Sequence, residues 1–360
     1  MGPLSYWECA AFLAIILAAA LAGAADYGRW AAVPRFALAT IALAGLAWVV
    51  SFATEQLGEH FGPGTTGMLQ STLGNLPELF VVIFALEKGE LIVAQTAIIG
   101  SILANALLVL GLVIVVGALR APDGVMRFSK RLPRDTATLM LVTVFIIALL
   151  GLSLGSHDPA SHHVKAISIV GAVCLLLVYL FWVVPYLRAD AAAAARLPPQ
   201  QRSERARPRL SISSSLALLA LSGAASAFVS DWFVNGLKPA IHELNLSQAF
   251  AGLVIVAIAG NAVENTAGLV LAWKRRSDLA ISVVKNSVAQ IAAFLFPLLV
   301  LVSFALSTVL TFAIAPVYIG ALVLTALALA QVTGDGEAAA FEGWALVALY
   351  LVMATFTIYE

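Results

Sequence analysis

Two short segments of the chain carry the same pattern of residues, a Gly-Asn pair followed three positions later by a glutamate. They read GNLPE at 74–78 and GNAVE at 260–264. The asparagine and the glutamate of each segment are three residues apart, which places them on one face of a helix. Both segments lie in apolar runs, where a carboxylate is costly unless it is protonated, paired or faces a cavity. We therefore identify Glu78 and Glu264 as candidate cation- and proton-binding residues.

A serine and an amide side chain follow each segment at a matching distance. Ser101 lies 23 residues after Glu78, and Ser287 lies 23 residues after Glu264. Carboxylate, amide and hydroxyl oxygens form a hard ligand set that suits Ca²⁺, and helix-weakening residues can add free backbone carbonyls. The amides could instead be hydrogen-bonding groups that hold helices together. Besides the glutamates and serines, the candidate binding residues are Asn75, Asn261, Asn105 and Gln290, and the candidate helix breaks are Gly74, Pro77 and Gly260.

The composition places these groups in a membrane protein. Of 360 residues, 61% are hydrophobic and 11% are charged, whereas about 25% are charged in a typical soluble domain. Apolar runs recur at or above the roughly 18–20 residues that span a bilayer as a helix, which excludes an ordinary soluble enzyme. The formal net charge is zero, so no basic excess is available to bind nucleic acid. The two cysteines, Cys9 and Cys174, form neither a metal motif nor a disulfide framework.

The elements that must position the motif residues are transmembrane helices. The apolar runs predict an all-α polytopic membrane protein with about eleven such helices. The chain divides into an extra N-terminal helix (1–30), a first five-helix repeat (31–188), a basic cytoplasmic linker (189–210) and a second five-helix repeat (211–360). The predicted spans are 9–25, 34–53, 65–86, 91–118, 136–154, 164–187, 212–234, 247–272, 279–305, 309–331 and 342–359.

The distribution of Lys and Arg predicts the orientation. With the N-terminus in the cytoplasm and the C-terminus outside, the inside loops hold fourteen basic residues and the outside loops hold five. Because each repeat has an odd number of helices, the second must enter the membrane from the opposite face. Inverted repeats of this kind are typical of secondary transporters with a binding site near the midplane. A short, loop-poor chain without a targeting segment favours the prokaryotic cytoplasmic (inner) membrane.

At these residues the chain resembles the Ca²⁺/H⁺ antiporters of the cation/Ca²⁺ exchanger superfamily. In that family each repeat carries G-N-x-x-E and a later G-S-x-x-x-N or G-S-S-x-Q segment; here the later segments read GSILAN (100–105) and NSVAQ (286–290). The resemblance extends to EQLGEHFGP at 55–63 and to GDGEAAAFEGWALVALYL at 334–351. It implies a ten-helix core with one extra helix, in which Glu78 and Glu264 bind Ca²⁺ or protons in turn.

The chain departs from the family pattern in three places. Asn265 follows the second glutamate, where the family usually has a histidine. Asn286 replaces the glycine before Ser287, and Lys285 precedes it. The linker is basic, whereas it is often acidic in the family.

Charge balance predicts how a cation and protons are coupled. Two ionised glutamates give an empty site a charge of −2, which one Ca²⁺ or two protons neutralise, so the loaded states cross the membrane more readily than the empty one. If Lys285 lies beside Glu264 as an ammonium, it modulates that charge, and the chain would be a monovalent (Na⁺ or K⁺)/H⁺ antiporter. Alternatively, Lys285 snorkels to the cytoplasmic surface.

Other classes of function are less consistent with the pattern. A channel would require a continuous polar pore, and an intramembrane enzyme would require a nucleophile–base set or a metal motif. We expect a transporter and not an enzyme, with no cofactor. The expected partners are membrane lipid, Ca²⁺ or another cation, and protons.

Overall fold

The computed structural model describes residues 5–60, 73–129, 131–195 and 209–360. They form helices separated by short connections and one small sheet. The helices are α1 (Tyr6–Tyr27), α2 (Ala32–Glu59), α3 (Leu76–Glu87), α4 (Leu91–Arg120), α5 (Arg131–Gly155), α6 (Val164–Ala195), α7 (Ile212–Leu244), α8 (Gln248–Gly260), α9 (Ala262–Trp273), α10 (Ser277–Ser303), α11 (Pro316–Thr333) and α12 (Ala340–Ile358), with a 3₁₀ turn at Pro159–His163.

Nine helices of the described ranges are long and apolar enough to cross a membrane. The count is ten if α8 and α9, which meet at a bend of 56°, are taken together as one span. The predicted span 65–86 lies partly outside the described residues, and its described part is α3. The predicted span 309–331 begins later, at Pro316. The segment before it runs without helix and alternates buried residues, Leu310, Phe312 and Ile314, with more exposed ones. The prediction was therefore wrong for the start of this span, because a partly buried segment without helix is as apolar as a membrane helix.

The chain divides into two compact units, the first comprising Met1–Val81 with Leu180–Leu244. In this unit α2 and α7 pack antiparallel: the Phe36 and Phe233 rings are 4.9 Å apart near one end, and Val50 packs with Leu219 towards the other. The capping box of Ser5 and Glu8 begins α1.

The second unit comprises Val82–Tyr179 with Asn245–Glu360. Close helix contacts here depend on glycine: a Cβ built on Gly100 of α4 would lie 2.4 Å from the carbonyl oxygen of Leu253 in α8. Similarly, a Cβ on Gly111 would lie 2.5 Å from the carbonyl oxygen of Gly343 in α12. Small residues let membrane helices approach closely. Because lipid tails are as apolar as the helices, the hydrophobic effect does not hold such helices together, and van der Waals packing contributes instead.

A two-stranded antiparallel sheet joins two loops of the second unit. Strands β1 (Val125–Arg127) and β2 (Glu337–Ala339) pair with Arg127 opposite Glu337. The Arg127 guanidinium also binds Asp123 at 2.6 Å, and this hydrogen bond lowers the pKa of the exposed Asp123 carboxyl. Next to the sheet, the Ser129 N–H donates to Asp278 Oδ1 at 2.6 Å, which fixes this loop to the first turn of α10.

In the described part of the second unit, three π-helical segments interrupt the helices. They are Ala104–Val109 in α4, Ala251–Val256 in α8 and Ile291–Leu295 in α10. The first and third follow Ser101 and Ser287, so they occupy matching positions in the two halves of the chain. π-Helical turns inside α-helices are frequent at functional sites.

Candidate cation-binding site

The second glycine–asparagine pair lies at a break between two helices. Helix α8 ends at Gly260, and Asn261 has φ −96° and ψ 16°, outside the helical region. Helix α9 begins at the next residue, and the Asn265 N–H donates to the Asn261 carbonyl at 3.0 Å. The predicted weakening of the helix at Gly260 thus coincides with the bend in this span.

The first pair has the same local arrangement. Gly74 and Asn75 lie in a turn immediately before α3, and the Leu79 N–H donates to the Asn75 carbonyl at 3.0 Å. Both Asn75 and Glu78 are buried, at 7% and 4% exposed. Pro77 occupies the second position of α3, where its missing N–H costs no helical hydrogen bond. Asn75 Nδ2 is buried and bonds to no described group.

Asn261 is the centre of a buried hydrogen-bond network. Asn105 Nδ2 donates to Asn261 Oδ1 at 2.6 Å, and Asn261 Nδ2 donates to Ser101 Oγ at 3.0 Å. Asn105 Nδ2 also contacts the Ser101 carbonyl at 2.9 Å, and Asn261 Nδ2 contacts the Ala257 carbonyl at 2.8 Å. The three side chains are 0–3% exposed. The asparagine of the second motif therefore contacts the serine and amide that follow the first motif.

The other predicted site residues are placed as follows. Ser287 is 3% exposed, and its Oγ has no hydrogen-bond partner among the described residues. Gln290 is half-buried and directly precedes the π-helical segment of α10. Glu264 lies in the first turn of α9, three residues after Asn261; its side chain is outside the described part of the structure. The structure thus brings Ser101, Asn105 and Asn261 together. The binding roles of all these residues stay predictions.

Lys285 does not snorkel to the surface, and that interpretation is wrong. Its side chain is 0% exposed, and its Nζ donates to Thr333 Oγ1 of α11 at 3.2 Å. Ser287 is two residues further on, about 200° around the helix, so the ammonium points away from Ser287. The Thr136 hydroxyl of α5 donates to the Lys285 carbonyl at 3.3 Å.

Sequence reasoning did not assign two buried amide oxygens, which lie on α9 and α10. Asn265 Oδ1 and Asn286 Oδ1 are buried and accept no hydrogen bond from a described residue. Both residues stand where the chain departs from the family pattern, which was the signal that could have identified them. Among described side chains, no three His, Cys, Asp or Glu groups cluster as a metal site.

Both halves of the chain match one family of known proteins. The family model described as sodium/calcium exchanger protein matches residues 31–187 and 214–359. The chain belongs to this family. A vacuolar calcium ion transporter of Schizosaccharomyces pombe is 32% identical to this exchanger. The alignment covers 91% of this exchanger and 80% of the yeast protein. A Ca²⁺/H⁺ antiporter of Synechocystis is 29% identical, with 95% of each chain covered.

Solved structures have the same fold as this exchanger. Native YfkE superposes with a TM-score of 0.80 at 24% identity, covering 97% of this chain and 100% of that one. The H⁺/Ca²⁺ exchanger CAX superposes with a TM-score of 0.76 at 16% identity, covering 98% of this chain and 89% of that one. The prediction of an all-α polytopic membrane protein is confirmed.

Proposed function

We propose that this exchanger is a Ca²⁺/H⁺ antiporter that works by alternating access. The observation that carries the proposal is the buried network of Ser101, Asn105 and Asn261 at the break of a duplicated motif. Relatives named as Ca²⁺/H⁺ antiporters and as a vacuolar calcium ion transporter support the choice of cation.

The two motif glutamates supply the coupling in this proposal. Glu78 is buried, and Glu264 follows Asn261 by three residues on α9. With both ionised, the empty site carries −2 and is costly to move through the membrane, whereas one Ca²⁺ or two protons neutralise it. Ca²⁺ takes six to eight oxygen ligands, so amide, hydroxyl and backbone oxygens complete its shell.

The position of Lys285 argues against the monovalent alternative. That alternative requires the ammonium to lie beside Glu264 and cancel one negative charge. The ammonium instead binds Thr333 on α11, on the side of α10 away from Ser287. We therefore assign the full charge of two carboxylates to the site, which favours a divalent cation.

The proposal includes two inverted five-helix repeats (31–188 and 211–360) after an extra helix. The two matches of the family model support this division. So do matching turns: Gly89 has φ 77° and Arg275, its counterpart 186 residues later, has φ 59°. We further propose a prokaryotic inner membrane, a cytoplasmic N-terminus, an outside C-terminus, and transport without enzymatic chemistry or a cofactor.

Proton flux in liposomes tests the proposed function. With purified protein and a pH dye trapped inside, Ca²⁺ added outside should raise the internal pH, because protons leave as Ca²⁺ enters. Mn²⁺, Na⁺ and K⁺ are added separately for comparison. Glu78→Gln and Glu264→Gln should each abolish the Ca²⁺ response, and Glu337→Gln in the exposed strand β2 is the matched control. A response to Na⁺ or K⁺ alone, or Ca²⁺ exchange that survives both substitutions, would contradict the proposal.

A further inference from the structure

Helix α10 carries a polar stripe consisting of Ser282, Asn286 and Gln290. These residues are spaced four apart, so they lie on one face of the helix. All three are half-buried, whereas the positions beside Asn286 are buried, with Lys285 at 0% and Ser287 at 3% exposed. A half-buried polar face on a membrane helix is suited to a hydrated path.

The amide oxygen of Asn286 has no donor in the described part of the chain, although the atom itself is buried. Leaving such an oxygen unsatisfied is unfavourable. Asn265 Oδ1, Ser287 Oγ and Asn105 Oδ1 are also buried without a described partner. They lie on α9, α10 and the π-helical segment of α4, which pack against one another. Oxygens without donors on adjoining elements are an arrangement that a cation satisfies.

The first half of the chain has no counterpart to this amide. Gly100, 186 residues before Asn286, packs so closely on α8 that a Cβ would lie 2.5 Å from the Leu253 Cα. A side chain at that position would force α4 and α8 apart. The amide at 286 is therefore an addition to one half of the chain and lies outside the duplicated motif.

The preceding lysine does not oppose a cation at this position. The Lys285 ammonium is held at Thr333 of α11 by the 3.2 Å hydrogen bond. The stripe itself consists of uncharged side chains that offer oxygen atoms.

We infer that Asn286 is a cation-selecting residue whose amide oxygen binds the transported Ca²⁺ one helical turn from Gln290. The inference rests on the proposed function and adds a ligand to that site. It predicts a selective effect on Ca²⁺ affinity, which a residue that only packs between helices would not produce.

Flux measurements on two variants test this role. Asn286→Ala removes the oxygen and should raise the KM for Ca²⁺ about tenfold while the maximal rate per folded protein is retained; this ratio corresponds to about 1.4 kcal/mol. Asn286→Asp keeps an oxygen and should hold the KM at or below the wild-type value. Val288→Ala, on the buried side of α10, is the control. An unchanged KM in Asn286→Ala, or equal loss of rate in both variants at constant KM, would overturn the inference.

Equilibrium binding separates the inference from the proposed function. Binding of ⁴⁵Ca²⁺ to detergent-solubilised protein requires no transport, and Asn286→Ala should weaken it about tenfold. Weaker binding together with no proton exchange by the wild-type chain would support the Asn286 ligand and reject the antiport mechanism. Wild-type exchange with unaltered binding in Asn286→Ala would reject the Asn286 ligand alone.

Discussion

Asn261 uses both ends of its amide group inside the protein. Its Oδ1 accepts from Asn105, and its Nδ2 donates to Ser101 and to the Ala257 carbonyl. Because every partner is buried, loss of one member leaves others without a hydrogen bond in a region of low dielectric. The network therefore keeps the break between α8 and α9 in a defined geometry.

Removal of the Asn105 amide should impair transport more than folding. Asn105→Ala leaves Asn261 Oδ1 without its 2.6 Å donor, and the expected loss of free energy is about 1–3 kcal/mol. We expect Ca²⁺ exchange to fall at least about tenfold, measured as initial proton flux in liposomes. Asn235→Ala, at an exposed site on α7, is the comparison, and equal rates for both variants would exclude a role for the network.

The buried ammonium of Lys285 should make Thr333 important for stability. Thr333→Val removes the hydroxyl that accepts from Nζ and should lower the free energy of unfolding by about 1–3 kcal/mol. Lys285→Met combined with Thr333→Val removes both polar groups and should recover most of that loss.

Thermal unfolding of the single and double variants in detergent measures this recovery. If the stability losses of Lys285→Met and Thr333→Val simply add in the double variant, the hydrogen bond between them contributes nothing to the free energy of unfolding. Ca²⁺ selectivity of Lys285→Met should match the wild-type protein, because the ammonium lies away from Ser287.

At the scale of elements, two features place the candidate site residues. They are the break between α8 and α9 and the close glycine contact of α4 with α8. The sequence pattern located most spans, because a helix needs a run of about 20 mostly apolar residues to cross the bilayer. It did not reveal the non-helical segment before α11, since an apolar run alone does not distinguish a buried non-helical segment from a helix. The π-helical segments also left no pattern of their own, because they differ from α-helix only in the hydrogen-bond register of a few residues.

The contact between α4 and α12 should be sensitive to a single methyl group. A Cβ on Gly343 would lie 2.5 Å from the Gly111 carbonyl oxygen, so Gly343→Ala should destabilise the protein by about 1–3 kcal/mol. Gly320→Ala on α11 is the matched control, because nothing lies within 4 Å of the added Cβ. It should leave the unfolding temperature unchanged or raise it. Equal unfolding temperatures for the two variants would show that α4 and α12 separate at no cost.

For the whole molecule, the charge of the site determines how exchange responds to voltage. Two glutamates that exchange one Ca²⁺ for two protons move no net charge. We expect the rate in liposomes to be unaffected by a membrane potential set with K⁺ and valinomycin. An exchange of three protons would respond to it, since each extra charge contributes about 2.3 kcal/mol per 100 mV. A clear voltage dependence would therefore show that a further protonatable group takes part.

The sequence by itself determined the membrane class, most of the helices and the identity of the paired motif, because apolar length and the spacing of buried polar residues are local properties. Only the tertiary structure decided that Asn261 of the second motif bonds to Ser101 and Asn105 of the first half. The tertiary structure also decided that the Lys285 ammonium donates to the Thr333 hydroxyl. Such pairings depend on which helix faces pack together, and the chain's linear order does not specify the packing of one helix face against another.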